Sequence, residues 1–165
     1  MKNLFIILAV SFALYSCSAS YSFTGTSTGD AKTISIQTVS NRAPLTPPTY
    51  PQSFTEDLKE NFLRQTNLDL IKSDGDLQIS GYIKRYTSGP IATTGNETTS
   101  QNRLRVSVQI TFVNKLDASQ NFDRSFERFE DYSSAVSLSS IQDQLLTNIT
   151  EQLAQDIIQA SIGNW

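Results

Sequence analysis

Leu104, Val106, Val108, Ile110 and Phe112 alternate along the chain with Arg103, Arg105, Ser107, Gln109 and Thr111. Successive side chains of a strand point to opposite faces, so this segment reads as a strand with one face buried. Two similar stretches precede it. Residues 32–39 set Ile34 and Ile36 against Ser35 and Gln37. Residues 76–86 set Leu77, Ile79 and Ile83 against Gln78, Ser80, Tyr82, Lys84 and Tyr86, with Gly81 as a bend or a point of close approach. A fourth strand over 121–132 has mixed parity. Phe122 and Phe126 fall on one face and Phe129 on the other, which predicts a bulge or burial on both sides.

Two other segments change period. Phe54, Leu58 and Phe62 recur every four residues and predict a helix over 54–65, opened by a capping box at Ser53-Phe54-Thr55-Glu56. Ile141, Leu145, Ile149, Leu153 and Ile157, widened by Leu146 and Ile158, predict a longer helix over 140–161. Ser139 to Gln142 offers a second capping box, Leu138 a hydrophobic staple and Gly163 a stop. The prolines at 44, 47, 48 and 51 read as a stiff extended connector. Leu68, Leu70 and Ile71 lead into the core, residues 72–75 turn, and residues 87–101 form a long polar loop.

The order is therefore β-α-β-β-β-α. An α+β fold follows, with two helices packed on one face of a four-stranded mixed sheet. Strands one and two, joined through a helix, are expected parallel. Strands two, three and four, joined by loops, are expected antiparallel. The second sheet face is left polar and uncovered.

The N-terminus has a different pattern. Lys2 is followed by an apolar run from Leu4 to Leu14 broken only by Ser11, then by Tyr15-Ser16-Cys17. That is a secretory leader, too short for a transmembrane helix of about 20 residues. Leucine three places before the cysteine and serine just before it resemble a bacterial lipobox, which makes Cys17 the lipidated first residue of the mature chain. An ordinary secretory signal with a chance cysteine is the alternative. The expected organisation is a signal peptide over 1–16, a lipidated tether over 17–30 with a possible short strand at Tyr21–Phe23, and one domain over 31–165. Cleavage leaves 149 of 165 residues and removes Lys2, taking the formal net charge from −3 to −4. Mild acidity argues against nucleic-acid binding.

The chain has no histidine and one cysteine. Serine–histidine and cysteine–histidine catalysis are excluded, and so is an intrachain disulfide. The usual zinc, copper and haem ligands are missing, and no cofactor or metal is expected. No carboxylate pair reads as an acid/base dyad, and no catalytic residue is assigned. The candidate site is the uncovered sheet face. Alternation puts Lys84, Arg103 and Arg105 there with Tyr82 and Tyr86. Guanidinium forks suit phosphates, and the rings suit sugars or acyl chains. The other reading is a solvated face whose long side chains block edge aggregation.

The chain resembles the LPS-assembly lipoprotein (LptE) family over its whole length. The resemblance rests on the lipobox cysteine, Tyr21-Ser22-Phe23-Thr24-Gly25, Asn41-Arg42-Ala43-Pro44-Leu45 and Ser53-Phe54-Thr55-Glu56-Asp57-Leu58-Lys59. It rests also on Gly75-Asp76-Leu77, Gln101-Asn102-Arg103-Leu104 and Asn164-Trp165. It implies a non-enzymatic, lipid-anchored protein of the outer membrane, and the lack of an acidic run directly after Cys17 points to one that faces the periplasm. The resemblance also implies that the protein plugs and helps assemble the LptD β-barrel and assists lipopolysaccharide transport. A free-standing periplasmic lipoprotein binding lipid or glycan through the same face is the alternative.

Overall fold

A computed structural model describes residues 28–91 and 100–163. The leader, Cys17, the tether up to residue 27, the segment at Tyr21–Phe23 and Trp165 lie outside the described residues. The chain runs β1 (Thr33–Ile36), β2 (Ser40–Asn41), α1 (Tyr50–Gln65), β3 (Asp69–Leu70), β4 (Leu77–Pro90), β5 (Gln101–Asn114), β6 (Phe122–Ser133) and α2 (Leu138–Ile162). A 3₁₀ turn, Ala118–Gln120, links β5 to β6.

The sheet is mixed and has six strands, not four, in the order β3-β1-β4-β5-β6, with β2 also on β4. The expected first strand splits into β1 and β2, both parallel to β4. The segment after α1 forms the short edge strand β3 beside β1. There Leu68 is buried, whereas Leu70 and Ile71 stay exposed at the edge and do not lead into the core. β4, β5 and β6 are antiparallel neighbours, as their loop connections dictate. β4 continues to Pro90 and β5 begins at Gln101, so both ends of the expected 87–101 loop are strand.

One parity of β5 and of β4 up to Ile83 is buried, while β6 buries only Phe126 and Tyr132. Leu77, Ile79 and Ile83 of β4 and Leu104, Val106, Val108, Ile110 and Phe112 of β5 have almost no exposed surface. Tyr50, Phe54, Leu58 and Phe62 of α1 meet them, with Leu145, Leu146, Ile149, Leu153, Ile157 and Ile158 of α2. Residues of the opposite parity in β5, Ser107 excepted, remain partly exposed, so both helices lie on one side of the sheet. Gly81 marks a close approach: a Cβ there would collide with the Gln109 carbonyl across the β4–β5 pair.

Three local expectations change. α1 begins at Tyr50, with Thr49 at the N-cap and no side-chain cap, so the Ser53 box does not form. Pro51 sits inside the first turn, where its missing N–H has no intrahelical partner to lose. Ser53 instead donates to the Tyr50 carbonyl at 3.1 Å. α2 begins at Leu138 with Ser137 at the N-cap, again without a side-chain cap, so neither the second box nor the staple forms. Finally, β6 pairs with β5 in unbroken register from Phe122 to Ser133. Its mixed parity comes from an exposed aromatic, Phe129 at 44%, and not from a bulge. The bulge lies in β4, between Ile83 and Arg85.

Candidate functional site

The bulge decides what the open sheet face carries. Ile83 pairs with Val108, Arg85 with Ser107 and Tyr86 with Val106, which leaves Lys84 as the extra residue. An extra residue reverses which face every later side chain takes. Tyr86 therefore turns under α2 and is buried, its hydroxyl accepting from Gln142 Nε2 at 2.7 Å. Burial pushes its hydroxyl above the usual tyrosine value, and the Gln142 bond offsets part of that. Tyr86 is thus removed from the candidate face. Arg85, which simple alternation points into the core, takes its place.

The register then builds the face row by row. Tyr82, Gln109 and Ser125 form one row, followed by Arg85, Ser107 and Glu127. Thr87, Arg105 and Phe129 come next, then Gly89, Arg103 and Asp131. Arg103 grips Asp131 with its fork, Nε to Oδ1 at 2.6 Å and a terminal nitrogen to Oδ2 at 2.8 Å. The same guanidinium lies 3.6 Å from the Phe129 ring centre. Its bond to Asp131 raises the arginine's proton affinity and holds the carboxyl below the ordinary aspartate value. Glu127 serves two cations, Arg85 at 3.3 Å and Arg105 at 3.2 Å. Arg105 Nε is close enough for attraction but misaligned, and it makes no hydrogen bond. At the top of the face Arg42 stacks on Tyr82, 3.8 Å from the ring centre.

Of the sequence-assigned residues, Tyr82, Arg103 and Arg105 share this face. Lys84 is exposed at the bulge and forms no ion pair among the described residues. Arg42, Arg85 and Phe129 were not among the residues that alternation assigned to the site. A signal for Arg85 did exist, because a cation at a position assigned to the core shows that the register has slipped. Nothing local announces that Arg42 reaches the sheet.

Three strand arginines share two carboxylates, Glu127 and Asp131. The stretch from Arg85 to Arg103 is thus a cationic and aromatic strip with one local positive charge in excess, while Asp123, accepting from Gln109 Nε2 at 2.7 Å, adds a third carboxylate farther along the same face. The misaligned Arg105 nitrogen is buried and lacks a hydrogen-bond acceptor. Phosphate is such an acceptor, and Phe129 offers an apolar surface beside it.

The remaining cations of β6 belong to the other face. Arg124 lies over Phe122 and Phe126. Arg128 grips Asp156 of α2 through two 2.6 Å bonds beside a polar groove of about 490 Å³. That guanidinium is held by the α2 carboxylate. Among the described residues no group of three or more cysteine and acidic side chains is placed to hold a metal. None of their helices is long and apolar enough to cross a membrane.

The model of a lipopolysaccharide-assembly family, LptE, matches residues 31–161. No curated protein matches the sequence. Among solved structures, a hypothetical protein from Chlamydia trachomatis is similar at 12% identity and a TM-score of 0.50, covering 81% of this chain and 99% of its own. A minor lipoprotein from Acinetobacter baumannii gives 17% identity, a TM-score of 0.46 and coverage of 79% and 93%. The rare lipoprotein B from Shewanella oneidensis gives 11%, 0.47, 76% and 89%. The chlamydial structure shows a shared fold.

Proposed function

The chain belongs to the LptE lipopolysaccharide-assembly family, and on that basis we propose that it is a non-enzymatic partner of an outer-membrane β-barrel of the LptD type. It seats in the barrel as a plug and presents its open sheet face to lipopolysaccharide. The observation that carries this reading is the cationic and aromatic strip of Arg85, Arg103, Arg105 and Phe129 on the side of the sheet away from the helices. Lipopolysaccharide has phosphates for the guanidiniums and acyl chains for the ring. Carboxylates already occupy the guanidiniums, so ligand exchanges one charge-assisted contact for another. Such binding is weak enough to reverse, which suits a protein that passes its ligand on.

In this reading Cys17 is lipidated and anchors the domain to the outer membrane, facing the periplasm, through the polar tether. A plug should bury more than the roughly 1,600 Å² of a standard protein interface. The test has two parts. The full-length protein should co-purify with the barrel in detergent at a fixed ratio, and isolation as a free monomer from native membranes overturns the plug. An Arg85→Ala, Arg105→Ala double variant should still join the barrel but deliver less lipopolysaccharide to the cell surface. Unchanged delivery overturns the role of the face.

A further inference from the structure

Leu45 combines two properties that folding alone does not explain. Its φ is 67°, in the left-handed region where glycine or asparagine is expected. Its side chain is 88% exposed, more than any other large apolar residue among those described. It follows Pro44 in a turn directly after β2. Proline followed by a left-handed residue is the pattern of a type II turn, whose second central position glycine normally fills.

The turn is held firmly. The Arg42 N–H donates to the Ile83 carbonyl at 3.0 Å. The Ala43 N–H donates to Asn41 Oδ1 at 3.0 Å, and Thr46 Oγ1 donates to the Ala43 carbonyl at 3.0 Å. Ala43 and Thr46 are buried on either side of the tip. Glycine at position 45 would relax the backbone and withdraw an apolar side chain from water. Stability therefore favours another residue, and strain kept in place by a braced frame points to recognition.

The surroundings are basic on a protein of formal net charge −3. Arg42 lies against Tyr82, and Lys84 follows the Ile83 that anchors the turn. Neither cation forms an ion pair among the described residues. We propose that Leu45 is an apolar knob that seats in a pocket of the barrel wall whose rim carries carboxylates. The proposal rests on the barrel partnership put forward above and names a contact through which it is made. A lipid surface fits less well, because interfacial binding uses a broad apolar face and here one leucine stands alone.

A competition tests this. Tagged full-length Leu45→Gly and untagged parent chain are co-expressed with the LptD-type barrel, and complexes are purified through the barrel. The variant should supply a tenth or less of the bound lipoprotein, while its own thermal midpoint stays level or rises. Leu45→Asn, which tolerates the same backbone, should behave alike. Leu116→Ala, at another exposed leucine, should compete evenly with the parent. Even incorporation of both Leu45 variants overturns the knob. So does a lowered thermal midpoint in both, which would make the loss a folding effect. Variants that hold their place in the barrel but lose binding to anionic phospholipid vesicles overturn it in favour of the membrane. If the parent chain alone fails to join the barrel, the partnership itself falls and the knob with it, and that result is seen before any variant is compared.

Discussion

Glu127 is the residue on which the charge of the open face turns. It lies between Arg85 and Arg105 and satisfies neither with ideal geometry. Glu127→Gln should release both guanidiniums and tighten lipopolysaccharide binding by roughly two- to fivefold, the range expected for an exposed pair worth about 0.5–1 kcal/mol. Titration calorimetry at two salt concentrations reads this, and weaker binding by the variant refutes the view that the carboxylate competes with ligand. Asp76 has a different task, since it holds the start of β1. Its Oδ2 accepts from the Lys32 and Thr33 N–H groups and the Thr33 hydroxyl, at 2.9, 3.0 and 2.9 Å. Those bonds hold its carboxyl below the ordinary aspartate value. A lowered folded-state pKa gives stability that is present above the unfolded value, about 3.9, and is lost as pH falls through the folded one. Acid unfolding of the parent should therefore be steeper below about pH 4 than that of Asp76→Asn, which should also be less stable at pH 7. Parallel acid transitions in the two proteins would remove Asp76 from this role. The bond to Arg103 makes Asp131 a second contributor of the same sign.

At the scale of the element, the bulge in β4 is a one-residue device with a long reach. Deleting Lys84 removes the unpaired residue and leaves Arg85 opposite Ser107 and Tyr86 opposite Val106, so the variant should keep Tyr86 in the core and unfold cooperatively by circular dichroism. Lys84→Ala leaves the register intact and should shift stability by no more than about 0.5 kcal/mol. A deletion variant that loses cooperative unfolding would show that Lys84 is not merely the unpaired residue of the bulge. Helix α2 makes the complementary case. Its stripe follows from four-residue spacing alone, and Ile149, wholly buried in it, should cost about 2–5 kcal/mol when cut to alanine. Chemical denaturation checks that figure. The ends of both helices were less legible. Ser53 and Ser139 each had an acidic or amide partner three residues on, yet both lie inside helices that start earlier. Tyr50 explains the first case: its ring is buried on the core and its hydroxyl meets Thr150 of α2 at 3.0 Å. The tertiary contact draws the helix back past Pro51, overriding the local box. The edge strand β3 was unreadable for a related reason, because a two-residue strand has no period and exists only through its neighbour.

For the molecule as a whole, the fold leaves one sheet face to water and assigns it a purpose only through partners. Cys17→Ser should leave the domain folded but release it from the outer membrane. Fractionation with a labelled-palmitate readout checks this, and membrane retention of an unlabelled Cys17→Ser protein would refute the anchor. The sequence by itself determined the buried stripe of both helices, of β5 and of β4 up to Ile83, but not the burial of Tyr86 or the exposure of Leu70 and Ile71. Amphipathic period is a local property, and the hydrophobic effect acts on it in whatever fold the chain adopts. The parallel and antiparallel pairings followed too, since connection length limits them. Only the tertiary structure decided the register past Ile83, and with it the exchange of Tyr86 for Arg85 on the open face. It alone placed Arg42 over Tyr82 and matched each strand arginine to a β6 carboxylate. A slip of one residue costs nothing in local propensity, yet it changes which groups meet across strands, and the energy that settles it comes from contacts far apart in the chain.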